Sequence, residues 1–117
     1  MTTKTSELTG TTLDWAVAKA DGYDIVDGVC WSGEIPEFNL DCFNPSECWA
    51  QAGPIIEREQ IAIECTRENL WQAEWWDGQH LSSCLLKTGE TPLVAAMRCY
   101  VASKLGDKVD IPEELQE

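Results

Sequence analysis

The stretch TPLVAAMRCYVASKLG, residues 91–106, decides the fold. Thr91 offers a side-chain acceptor for a helix N-cap, Pro92 suits a first helical position that needs no N–H donor, and Gly106 supplies a stop. Between them Leu93, Ala96, Met97, Tyr100, Val101 and Leu105 form a wide apolar stripe, which predicts a helix lying against a sheet. The residues just before it must supply that sheet. QIAIECTR, residues 60–67, alternates Ile61, Ile63 and Cys65 against Ala62, Glu64 and Thr66. LWQAEWW, residues 70–76, sets Trp71, Ala73 and Trp75 on one side. Asn69 turns the chain between these two runs, and Asp77-Gly78 closes a hairpin into a third strand, HLSSCLL.

Further out, Thr11 or Thr12 can cap a helix through LDWAVAKAD, with Leu13, Ala16, Val17 and Ala20 on one face and Gly22 as its stop. YDIV and VCW flank Asp27-Gly28 and predict two short edge strands in a hairpin. Residues Ser32 to Asn44 show little periodicity and read as a loop. FNPSECWAQAGPIIERE, residues 43–59, then places Ser46 at a helix head, with Trp49, Ala52 and Ile56 at helical spacing. Pro54 inside a helix costs about 3 kcal/mol, so a short turn at 46–51 followed by a restart or kink is expected. Val109 and Ile111 are expected to pack along an edge. The expectation is one α+β domain spanning 1–117, an antiparallel sheet of about three to five strands against N-terminal, middle and C-terminal helices, with 1–10 and 107–117 peripheral.

A chain of 117 residues with 44% hydrophobic content is long enough to bury a core without staples. The six cysteines follow no C-x-x-C spacing and no signal-peptide pattern, which points to free thiols in a reducing cytosol and to no structural metal. No apolar run approaches the roughly 18 residues of a membrane span. With 21 acidic against 8 basic residues the formal net charge is -13, which opposes direct contact with a nucleic-acid backbone. Such a charge serves solubility, and it also suits a basic partner reached by electrostatic steering.

Chemistry is sparse. His80 is the single histidine and has no nucleophile setting, no phosphate-loop motif occurs, and the many carboxylates single out no acid–base pair. No catalytic residue, metal ligand or cofactor is therefore assigned, and binding without catalysis is favoured over an enzyme. Six tryptophans exceed the two Tyr and two Phe. Trp15, Trp49, Trp71 and Trp75 suit the seam between helices and sheet, while Trp31 and Trp76, beside turn signals, are expected to be exposed. Indole faces could instead stack on a planar ligand, worth roughly 1–3 kcal/mol per base. The helix starts at Ser46 and Thr91 can receive anions. Arg98 is the charge partner beside them, its ordinary alternative being an ion pair with a neighbouring acid. Trp15, Ser46, Trp49, Thr91 and Arg98 are thus the candidate ligand-binding residues.

TSELTG with LDWAVAKADGYD, then NPSECWAQAGPIIERE, then GETPLVAAMRCYVASKLGDKVDIPEEL, resemble the NinX-like family of small proteins from lambdoid phages and prophages. The order LDW, CWAQAGPIIE, TPLVAAMR also resembles the phage domains called α-β-α sandwiches. Where that family reads Tyr-Ser-Pro-Ser-Thr, then Trp and Gly-Gly-Pro, this chain departs at Phe43, Asn44, Glu47 and Ala52. The resemblance implies an accessory protein in the cytoplasm of the infected bacterium, with no catalytic residues to carry over. Two mechanisms are expected to compete in counter-defence. One sequesters a small nucleotide-like immune signal. The other binds a basic surface of a host defence or nucleic-acid-processing protein. A nucleotide-cleaving enzyme ranks third, and a homo-oligomer is left open.

Overall fold

A computed structural model describes residues 2–76, 84–112 and 115 of the chain. In chain order these form β1 (Thr2–Lys4), α1 (Gly10–Ala20), β2 (Asp24–Val26), β3 (Val29–Ser32), β4 (Ile35–Asn39), α2 (Trp49–Glu59), β5 (Ala62–Arg67), β6 (Leu70–Trp76), β7 (Cys84–Gly89), α3 (Pro92–Leu105) and β8 (Lys108–Asp110). Short 3-10 turns occupy Thr5–Glu7 and Leu40–Cys42. The fold is α+β, with the strands divided among three antiparallel sheets: β1 with β8, β2-β3-β4, and β5-β6-β7. The expected Asp77-Gly78 turn, His80 and the Trp76 side chain lie outside the described residues.

Helix α3 sits at the centre. Thr91 Oγ1 accepts the Val94 N–H at 3.2 Å, and Pro92 opens the helix as expected. Leu93, Ala95, Ala96, Met97, Cys99, Tyr100, Val101 and Ala102 are all buried, so the helix is covered nearly all round rather than along one stripe. Leu105, expected on the stripe, is 38% exposed at the last position of the helix. The β5-β6-β7 sheet covers one side through buried Ala73 and partly buried Trp71 and Trp75, the face that alternation assigned. Leu13, Ala16 and Val17 of α1 and Ala52 and Ile55 of α2 close the others. A polar knot ties the three helices together. The Tyr100 hydroxyl donates to Asp21, while Arg58 Nη2 donates to Asp21 Oδ1 at 3.0 Å and to the Tyr100 oxygen at 3.0 Å.

Several local readings change. Thr9, rather than Thr11 or Thr12, caps α1; Thr12 Oγ1 accepts its N–H at 3.4 Å and donates to its carbonyl at 2.7 Å. Residues 32–44 are not a loop, because Ser32 pairs with Ile35 around a two-residue turn in which Gly33 adopts φ 65, and β4 completes a meander. Pro36 is tolerated there on an edge strand. The preceding turn at Asp27-Gly28, with φ 51 and 77, is the expected tight hairpin. Helix α2 begins at Trp49 and runs unbroken past Pro54, whose exposed position leaves the freed carbonyl of the preceding turn open to water. The polar start of the chain pairs as β1 with β8, where Val109 and then Ile111 are buried as expected.

Gly89 marks the tightest contact between sheet and central helix: a Cβ there would lie 2.7 Å from the Ala95 amide nitrogen and 2.8 Å from Val94 Cγ1. Backbone cannot give way as a flexible side chain can, so Gly89→Ala is expected to lower stability by about 1–3 kcal/mol. Urea unfolding with an unchanged m-value checks this, and a variant as stable as the native chain contradicts the packing described.

Candidate functional site

Residues 20–57 contain no Lys or Arg, yet carry Asp21, Asp24, Asp27, Glu34, Glu37, Asp41, Glu47 and Glu57. This segment includes the whole β2-β3-β4 meander and most of α2. Only Asp21 of the eight forms an ion pair among the described residues, with Arg58 at 3.0 Å. Val26, Ile35 and Trp49, at 56%, 63% and 57% exposure, are the large apolar side chains it leaves in solvent. Within it Tyr23 meets Phe38 edge to face at a centroid distance of 4.9 Å, and Phe38 meets Phe43 at a tilt at 5.1 Å.

Two adjoining hollows lie where this segment meets α1. The first, about 270 Å³, is lined by Gly10, Thr11, Asp14, Asp41, Phe43 and Glu47 among others. The second, about 280 Å³, holds Trp15, Lys19, Ile25 and Asp27, and shares Leu40, Asp41 and Leu115 with the first. Asp14 is 8% exposed, and its Oδ1 accepts the Ser46 N–H at 2.9 Å. Burial raises the Asp14 pKa above the usual carboxylate value; the Ser46 contacts lower it and Glu47 adds to the rise. The Ser46 hydroxyl, near that carboxylate and 3% exposed, finds no partner in hydrogen-bonding geometry.

A third hollow, about 340 Å³, opens at the head of α3 between Thr9, Leu70, Thr88, Glu90, Thr91 and Arg98. Arg98 makes no ion pair among the described residues; its Nε and Nη1 donate to the carbonyls of Leu8 and Thr88, each at 2.8 Å. Burial holds its pKa below the usual arginine value, with Glu90 opposing. The guanidinium thus braces the end of β7 against the turn before α1, and its charge is left without a carboxylate in contact.

The structure brings Thr91 and Arg98 together but separates them from the other candidates. Trp15 lines the second hollow, and Trp49 is solvent-exposed on α2 rather than in the seam. Ser46 does not head a helix. Asn44 O takes the amides of Glu47 and Cys48, α2 starts three residues later, and Asp14 holds the Ser46 amide, so a carboxylate stands where an anion was expected. Trp31, expected to be exposed, is half-buried, with an indole N–H that is shielded and unpartnered. Asp14, Asp41 and Glu47 were missed because a carboxylate on a helical face reads as solvated; the only clue was the polar Asp14 between apolar Leu13 and Trp15.

A carboxyl whose pKa is raised by folding binds its proton more tightly folded than unfolded. Stability from this group is therefore full below the unfolded-state value of about 3.9 and falls as pH rises through the folded value. Asp14→Asn keeps an acceptor for the Ser46 amide and removes the buried charge. It is expected to be more stable than the native chain at neutral pH, with the gap closing below about pH 4. Urea titrations at the two pH values check it, and a gap independent of pH contradicts it.

No helix among the described residues is long and apolar enough to cross a membrane. No curated protein matches the chain. Residues 4–104, from the end of β1 through nearly all of α3, match the family described as Bacteriophage P22, NinX, and the chain belongs to this family of phage accessory proteins.

Proposed function

We propose that this NinX-family protein acts in the cytoplasm of the infected bacterium as a non-catalytic binding protein, docking its acidic meander and adjoining α1 hollows onto a basic surface of a host defence or nucleic-acid-processing protein. The observation that carries this reading is the run 20–57, where eight acids, no cations and the exposed Val26, Ile35 and Trp49 coincide. Apolar contacts within a charged rim are the composition of a docking face. Complementary charge would chiefly raise the association rate and make it sensitive to salt. The test is capture of a basic host protein by the native chain and by Asp24→Asn/Glu34→Gln/Glu37→Gln. The triple variant is expected to associate about tenfold more slowly at low ionic strength, with the difference shrinking as salt is added. Capture indifferent to both the substitutions and salt sinks this reading.

A second reading, sequestration of a small nucleotide-like immune signal, rests on the hollow shared by Thr91 and Arg98. An arginine without a carboxylate partner beside the positive end of α3 suits a phosphate. No tryptophan among the described residues lines that hollow, so a base would rest on Leu70 and Val94. Calorimetry with cyclic dinucleotides and ADP-ribose derivatives is expected to show binding that Arg98→Lys weakens about tenfold, since lysine lacks the planar fork. Silence across the panel with folded protein removes this reading. Recovery of intact ligand on denaturation separates a sponge from a nucleotide-cleaving enzyme.

A further inference from the structure

The segment that follows β8 reaches the docking face. The chain buries Ile111, 2% exposed, and then makes a single turn in which the Leu115 N–H donates to the Pro112 carbonyl at 3.1 Å. Leu115 packs half-buried against the core and lines both hollows beside α1. Leu40 and Asp41 are the other residues that both hollows share, so Leu115 stands on the boundary between them. Withdrawing it joins spaces of about 270 and 280 Å³ into one groove along α1, from Gly10 and Asp14 at one end to Trp15 and Lys19 at the other. The helix rises about 1.5 Å per residue, so that groove is roughly 14 Å long, the span of about four extended residues.

Two properties make this contact easy to exchange. Among the described residues no hydrogen bond ties Pro112 or Leu115 to α1 or the meander, so the turn is held there by apolar contact alone. The second property is charge. Glu113, Glu114 and Glu117 flank Leu115 in the sequence, while the groove is lined by Asp27, Asp41 and Glu47, with Lys19 the one cation among its lining residues. Like charges oppose the seating of this leucine. The same leucine on a basic segment is drawn in by charge and meets the same apolar surface of Trp15, Ile25, Leu40 and Phe43. The groove is therefore better matched to a basic segment than to the acidic one it holds.

We infer that Leu115 is a self-contact seated in the docking groove, and that a partner displaces it with an aliphatic side chain of similar size carried on a segment rich in lysine or arginine. This deepens the proposed docking and rests on that reading for the basic character of the partner. Charge brings the partner near, and the exchange of one leucine-sized side chain for another anchors it. At rest the turn keeps the apolar floor of the groove covered, and the affinity of the full chain is lowered by the fraction of time that the turn is seated.

The test titrates three ¹⁵N-labelled proteins, the full chain, the full chain with Leu115→Ala and a chain ending at Pro112, with the end-capped peptide Lys-Arg-Leu-Arg-Lys and its Lys-Arg-Ser-Arg-Lys counterpart. The leucine peptide is expected to shift the amides of Gly10, Thr11, Lys19, Gly28 and Asp41 saturably. It should bind the Leu115→Ala and shortened chains about tenfold more tightly than the native chain, as a turn seated about nine times in ten requires. The serine peptide, equal in charge, is expected to bind about tenfold more weakly than the leucine peptide. Leu115→Ala keeps the rest of the segment, so it decides the matter where the shortened chain is unstable. Equal affinity for the native and Leu115→Ala chains, equal response to the two peptides, or shifts confined to other amides overturns the inference. The docking reading fails separately. If the meander triple variant captures a basic host protein unchanged while Leu115→Ala gains the peptide, docking falls and the exchange stands; if the triple variant loses capture and Leu115→Ala gains nothing, docking stands and the exchange falls.

Discussion

The core of this molecule is arranged around keeping α3 out of water. Its eight buried residues include three alanines, and such small side chains let the β5-β6-β7 sheet, α1 and α2 approach the helix from different directions. Close approach leaves no room for error, as the space around Gly89 shows. It also leaves few polar groups inside, and Tyr100 and Arg98 of α3 reach across to other elements. Tyr100 is the clearest case, a buried phenol pushed above its ordinary pKa first by burial and then by its bond to Asp21, and held by Arg58 from α2. Such a hydrogen bond adds about 1 kcal/mol in itself, but losing one partner leaves the other buried and unsatisfied.

This arrangement explains what could be read from the chain in advance. Thr91, Pro92 and Gly106 act within one turn of themselves, so their roles followed from local chemistry. In the period-two runs 60–67 and 70–76, Ile61, Ile63, Trp71, Ala73 and Trp75 join the core as alternation assigned, whereas Cys65, placed on the same face, is exposed near the strand's end. The meander was half legible. Asp27-Gly28 announced its turn, whereas β4 has an exposed surface and an internal Pro36, so no hydrophobic alternation marked it. Ser46 misled for a different reason. Serine before a Trp-led amphipathic run is a sound capping signal, but a carboxylate thirty-two positions earlier in the chain claims its amide, and no local pattern reports a contact at that separation.

The candidate site was hidden for the same reason. The charge total of -13 and the run 20–57 without Lys or Arg are visible in the sequence, but not that β2, β3 and β4 fold much of that run into one sheet. The arginines show the same division. Arg58 settles into contacts with Asp21 and Glu59, while Arg98 spends its donors on main-chain carbonyls, with Glu90 near it in the hollow at the head of α3.

The β1–β8 ribbon has a mechanical meaning. Thr2 faces Asp110 and Lys4 faces Lys108, so a pull applied to the two ends of this ribbon loads its rungs one after another rather than together. Such a ribbon peels open like a zip under low force, and the Thr5 links to Gly106 and Asp107 are the next to carry the tension. A pull on the amino-terminal strand would thus loosen the ribbon before straining the alanine-rich centre, an order that optical-trap extension curves would display as a small early step ahead of the main rupture.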